Sequence, residues 1–209
     1  MSFSGQFRYG ITGFFQVSWV FWLFFLVIFS CGLVFGALAV DTIPAAVQAS
    51  MSSYLQSFVT AAPSQLGTPV QTRMVLWEYV RYAGMIWLLG LTVIGAPLAV
   101  VWVFMRGFAL GFTVAFLVAD LGWRGLFIGI FGVLPQNLLA VPAIVGLAVA
   151  ALDFAVVMVR SLASGRVPPL GQEILSFSFF AVVMGGLLLG ASLVETYITP
   201  VFLHLVLPG

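Results

Sequence analysis

Apolar residues run almost unbroken through 14–40, 82–105, 107–121, 126–159 and 174–198 of this 209-residue chain. About 20 apolar residues in helical form cross the hydrocarbon core of a bilayer, which is roughly 30 Å thick. Charged residues make up only 6% of the chain, against about a quarter in soluble domains. That leaves too little polar surface to cover a water-exposed globule. Barrel strands would alternate apolar and polar over about ten residues, and these runs do not alternate. The chain therefore reads as an all-α integral membrane protein. The expected architecture is a polytopic helical bundle of about five transmembrane segments, a single membrane domain over residues 1–209.

Arg8 precedes the first run. The run carries Ala37-Leu-Ala39, which resembles a signal-peptidase site. A signal core is about 7–15 residues long, so this longer run, rich in Phe and Trp, reads as a retained anchor. Residues 41–73 form the longest polar interval, expected to face outward. Within 44–60, Val47, Met51, Leu55 and Phe58 recur at helical spacing with Ser and Gln opposite. This pattern suggests an amphipathic helix on the membrane surface or against a partner, and a loosely ordered loop with buried anchors is the alternative. Ala62, Pro63, Ser64, Gly67 and Pro69 then argue against continuation.

The second run contains Gly95-Ala-Pro97, and Arg106 reads as a tight return into the third. Asp120, Gly122, Trp123 and Arg124 mark the next boundary, with an interfacial pair expected between Asp120 and Arg124. With the N-terminus inside, Arg8, Arg106, Arg160 and Arg166 would be cytoplasmic and Arg73, Arg81 and Arg124 outside. Four against three is a weak bias, and it favours N-inside, C-outside.

Glycine recurs at four-residue spacing as Gly32/Gly36, Gly107/Gly111, Gly125/Gly129 and Gly186/Gly190. In lipid, helices associate through close backbone approach and dispersion, which small residues permit. Four such pairs point to a compact bundle and leave self-association open.

The fourth run, too long for one simple crossing and too short for two, contains GVLPQNLLAVP from Gly132 to Pro142. Pro135 lacks a donor and clashes with the preceding turn, and it biases Leu134 away from helix. A broken or re-entrant helix over 125–142 is expected. Asn137 would cap a new helix from Leu138, and Gln136 would satisfy released carbonyls. Pro142 lies further along the same stretch, and Thr199-Pro200 closes the last run.

The ionisable groups inside the runs are the candidates for chemistry. Asp153 can pair with Arg160. Glu195 has no basic residue near it in sequence and is expected to be protonated or to bond another segment. Cys31 and His204 are each alone, so neither a disulfide nor a zinc site of nitrogen and sulfur ligands is expected. An intramembrane serine or metalloprotease would need histidine within the spans. Asp120 and Asp153 fall near opposite faces, so an aspartyl dyad is not expected either. No catalytic, cofactor or metal role is assigned, and the net charge of +1 gives no hint of nucleic acid. A small-solute transporter or channel built on the break at Pro135–Asn137 is the alternative.

Five motifs taken in order resemble the stage II sporulation protein M family: GLVFGALA from Gly32, GMIWLLGLTVIGAP from Gly84, RGFALGFTV from Arg106, LPQN from Leu134 and VETYITP from Val194. The wider family reads Pro-His-Gly at the break, with a Glu shortly after. Gln136-Asn137 and Ala140 stand there in this chain, which looks like the sporulation branch. The resemblance implies a non-enzymatic membrane scaffold of endospore engulfment, in the mother-cell membrane at the septum. It would anchor and localise the peptidoglycan hydrolases, stage II sporulation proteins D and P. The expected docking surfaces are Met51, Leu55 and Phe58, the C-terminal tail, and a glycine face.

Overall fold

The structure, a computed structural model, describes residues 3–65, 69–92, 94–165, 170–199 and 201, with side chains described except at 3–18 and 58–72. Those residues are helical almost throughout. Helix α1 (Phe3–Ala39) ends in a 3₁₀ turn, Val40–Thr42, and is followed by α2 (Ala45–Gln65), α3 (Pro69–Gly90) and α4 (Gly95–Leu121). Next come α5 (Trp123–Ile128), a π-helical segment Gly129–Val133, α6 (Leu134–Ala163), α7 (Leu170–Leu193) and a second π-helical segment, Val194–Ile198.

Trp19–Thr42, Gly95–Leu121, Trp123–Ala163 and Leu170–Ile198 are the four described stretches long and apolar enough to cross a membrane. Helix α3, which carries Arg73, Glu78 and Arg81, does not meet that test, yet it packs inside the same bundle. Its Gly90 lies against Phe177 of α7 and Ala151 of α6.

Chain direction can be read from the cross-helix contacts. Gly32 and Gly36 of α1 lie against the Phe104 and Phe108 carbonyls of α4, and Gly107 and Gly111 lie against those of Phe29 and Leu33. Positions advance together, so α1 and α4 run parallel with both glycine pairs in one seam. A Cβ at any of the four would strike the opposite backbone. The glycine hydrogen there points at a carbonyl, the geometry of a weak Cα–H···O contact. Tyr79 and Trp87 of α3 meet Glu195 and Ser178 of α7 in reverse order, so these two are antiparallel. The α1, α4 and α7 rods therefore point one way, and α3 and α5–α6 the other.

Helix α6 is the axis, with every residue from Ala143 to Ala151 buried. Apart from Ile144 and Leu147, that stretch is built of alanine, valine and glycine, and a helix apolar all round belongs in an interior. Gly146 admits Trp22 of α1 and Met184 of α7.

The turns differ from the expected ones. Helix α4 runs unbroken through Arg106, because nothing around that residue favours a turn. The return lies between α3 and α4, where the Thr92 hydroxyl donates to the Leu89 carbonyl at 2.8 Å and accepts the Gly95 N–H at 3.0 Å. The next reversal is at Gly122, whose φ of 57° and ψ of −131° are open only to glycine.

The expected disturbance at Pro135 takes a milder form than a re-entrant loop. Trp123–Ala163 is one helical rod of 41 residues, about 60 Å long, which overshoots a single crossing. The missing donor of Pro135 is absorbed by the π turn before it, in which the Leu134 N–H reaches the Gly129 carbonyl. The segment Val194–Ile198 likewise ends two residues before a proline, Pro200, itself outside the described residues.

Candidate functional site

Arg106 lies near the middle of the 27-residue α4, inside the apolar bundle. Its Nη2 donates to Asn137 Oδ1 of α6 at 3.1 Å. It also lies near enough to the Tyr79 hydroxyl of α3 and to Glu195 to act on both electrostatically. The Tyr79 hydroxyl in turn donates to Glu195 Oε2 at 3.0 Å. Asn137 Nδ2 donates to the Val133 carbonyl at 2.7 Å, at the end of the first π segment. Two hydrogen-bonded pairs, α4–α6 through Arg106 and Asn137 and α3–α7 through Tyr79 and Glu195, thus lie close together and form one electrostatic network.

A charge in a low-dielectric interior is tolerated when an opposite charge and hydrogen bonds compensate it. Here Arg106 has the Asn137 amide oxygen as its hydrogen-bond acceptor and Glu195 has the Tyr79 hydroxyl as its donor, and the two groups act on each other through space rather than as a direct ion pair. Tyr79 is 6% exposed and belongs to the main core with Ala140, Ala143 and Val103, which shield the network from one side. Glu78, exposed midway along α3, adds its negative field at Glu195. Arg106 Nε and Gln136 Oε1 are buried without a hydrogen-bond partner among the described residues.

Of the residues singled out in the sequence, Asn137 and Glu195 meet in this network. Asn137 does not cap α6. It lies one turn inside the helix, 6% exposed, and donates to its own preceding turn while accepting Arg106. Glu195 finds Tyr79 on another segment. Gln136 is adjacent, but no hydrogen bond from its amide to a released carbonyl is formed among the described residues, and its Oε1 is buried without a partner. Pro135 comes just after the π turn and Pro142 lies exposed within α6. The position of the expected family acid, Ala140, is fully buried in the core.

Tyr79 and Arg106 are not legible as site residues from the sequence. Arg106 has a signal: one charge in an apolar run without turn chemistry lies mid-helix once Gly95-Ala-Pro97 is taken as the helix start. Tyr79 has none, since it falls in the polar half of α3.

The remaining glycines divide. Gly125 packs against the Leu117 carbonyl at the α4–α5 reversal, and Gly129 makes ordinary contact with Val114. Gly190 touches Leu139, whereas Gly186 has open space where its side chain would be, so it is no part of the internal packing.

Helix α2 lies at the end of the bundle where α1 and α4 finish. Ser52 Oγ donates to Asp120 Oδ1 at 2.5 Å, so Asp120 is engaged by α2 rather than by Arg124. Leu55 packs against the small cluster of Leu117 and Ile128, as Leu121 and Val133 do. Met51 and Leu55 line a shallow groove of about 330 Å³ with Phe112 and Phe116 of α4. The Phe58 side chain and the tail from residue 202 lie outside the described residues. Asp153, under the field of Arg160, is at the opposite end from Asp120, as α4 and α6 run in opposite directions.

The family model described as stage II sporulation protein M matches residues 25–200. No curated protein and no solved structure matches the chain.

Proposed function

The chain belongs to the stage II sporulation protein M family of sporulation-related membrane proteins, and on that premise we propose that it is a non-enzymatic scaffold of engulfment. In this reading it sits in the mother-cell membrane at the sporulation septum. It anchors and localises stage II sporulation proteins D and P, whose chemistry opens the peptidoglycan. The N-terminus is cytoplasmic, α3 is the fifth crossing, and α2 and the C-terminus face outward, where such partners work.

The placement of α2 carries the reading. It is a helix attached at one end of the bundle through Leu55 and Ser52, with Tyr54 left 74% exposed. An anchored helix with a free face at the membrane boundary suits capture of another protein's membrane-proximal segment. The test replaces Met51, Leu55 and Phe58 with serine in the full-length chain in sporulating cells. Co-purification of proteins D and P is expected to fall while the membrane level of the variant holds. Undiminished co-purification would refute docking on α2.

A further inference from the structure

The last turns of α7 face the bundle with polar side chains. Ser192 is 1% exposed, Thr196 2% and Thr199 7%. Their hydroxyls give little to neighbouring helices. Ser192 donates to the Leu189 carbonyl at 2.7 Å and Thr196 to the Ser192 carbonyl at 2.8 Å, both within the helix. Thr199 Oγ1 has no partner among the described residues. Glu195 alone among these residues makes a side-chain hydrogen bond to another described helix, through Tyr79.

Its geometry is specific. A π turn holds one more residue than an α turn, so it rotates the residues beyond it by about 100°. One π segment carries Glu195, and the other directly precedes Gln136 and Asn137. Both therefore set the angle at which a polar arm enters the same network. The Asn137 arm meets Arg106 of a third helix, α4, and the Glu195 arm meets the phenol of a fourth, α3. Polar pairs within a bilayer are costly when incomplete, and π turns give up regular helical bonding. Their coincidence here goes beyond simple packing, which Leu and Ala would serve.

We propose that Arg106, Tyr79 and Glu195 act as one charge-neutral latch, oriented by Asn137, that closes the final turns of α7 against α3 and α4. With the latch made, residues 195–199 stay packed. With it broken, they swing from the bundle while α6 and α7 remain paired through Phe154 and Phe177, whose ring centroids are 5.8 Å apart.

The test uses full-length protein in detergent, in a Cys31→Ala, Thr199→Cys background, and reads two quantities. These are the amount of monodisperse protein and the rate at which a water-soluble maleimide labels position 199. Tyr79→Phe keeps both charges and the packing, and should raise the labelling rate several-fold with the amount of protein unchanged. Glu195→Gln and Arg106→Gln each leave a buried charge unpaired and should lower the amount by about tenfold or more. The Arg106→Gln/Glu195→Gln double variant should regain most of it, yet label as fast as Tyr79→Phe. A parental labelling rate in Tyr79→Phe would overturn the latch. So would a double variant no better recovered than the singles, since the two charges would then not be one unit.

Discussion

Gly36 on α1 lies against the carbonyl of Phe108 on α4, with no room between them for a methyl group. The same is true at Gly32, Gly107 and Gly111, so the α1–α4 seam is backbone on backbone over two turns. Gly36→Ala must push the helices apart or bend one, and overpacking of this kind costs about 1–3 kcal/mol. Gly186→Ala meets nothing within 4 Å and should gain slightly from helix propensity. Thermal unfolding in detergent should show a lower midpoint for Gly36→Ala and an unchanged or higher one for Gly186→Ala. Equal effects would mean that the seam does not hold the bundle together.

Asn137 and Gln136 are neighbours with opposite expected sensitivities. Asn137→Leu removes the acceptor of Arg106 and the donor to Val133. Losing a hydrogen bond to a charged group costs about 1.5–3 kcal/mol. Gln136→Leu removes a buried oxygen that has no partner among the described residues, so it should be neutral or stabilising. Thermal midpoints of the two variants decide between this order and a general need for amides at the Pro135 disturbance.

These neighbours also show where sequence reading stops. Helical class and the disturbance before Pro135 come from runs, charges and one missing N–H, all local. The seam between Gly32/Gly36 and Gly107/Gly111 is half visible: the spacing marks faces, but which face meets which depends on the parallel course of α1 and α4. The network is not visible, because its partners come from four helices and Arg106 reads locally as a turn residue. That misplacement has a further consequence. With Arg106 inside the bundle and Arg81 midway along α3, a proposed crossing, neither counts for a membrane side, and Arg8, Arg160 and Arg166 stand against Arg73 and Arg124 if Arg8 and Arg166 keep their expected sides. Three against two leaves the positive-inside bias as weak as four against three, so orientation rests more on the proposed function than on charge.

The Ser52 hydroxyl ties α2 to the end of α4 by donating to Asp120. Asp120→Ala should loosen α2 while leaving the α1–α4 seam intact. Hydrogen exchange of the amides from Ala45 to Ser57 should quicken several-fold, with those around Gly107 unchanged. Unaltered exchange in α2 would mean that Leu55 and its apolar neighbours suffice to hold it.

Membrane-sidedness can be tested without assuming which end faces outward. The parallel course of α1 and α4 puts α2 and the Gly122 reversal at one end of the bundle, since Ser52 touches Asp120 just before that reversal. Ser164 comes after α6 at the other end, because α5–α6 runs back along α4. Single cysteines at Ser53, Gly122 and Ser164, each in a Cys31→Ala background, should divide two and one when an impermeant reagent is applied to intact cells. Ser53 and Gly122 must label together and Ser164 must differ. Gly122→Cys forces a side chain into a φ of 57°, so Trp123→Cys serves as its replacement if that variant is poorly made. Labelling of Ser53 and Gly122 from opposite faces would overturn the helix directions themselves. Labelling of both from outside would in addition give the orientation the scaffold needs, with α2 exposed where peptidoglycan is cut.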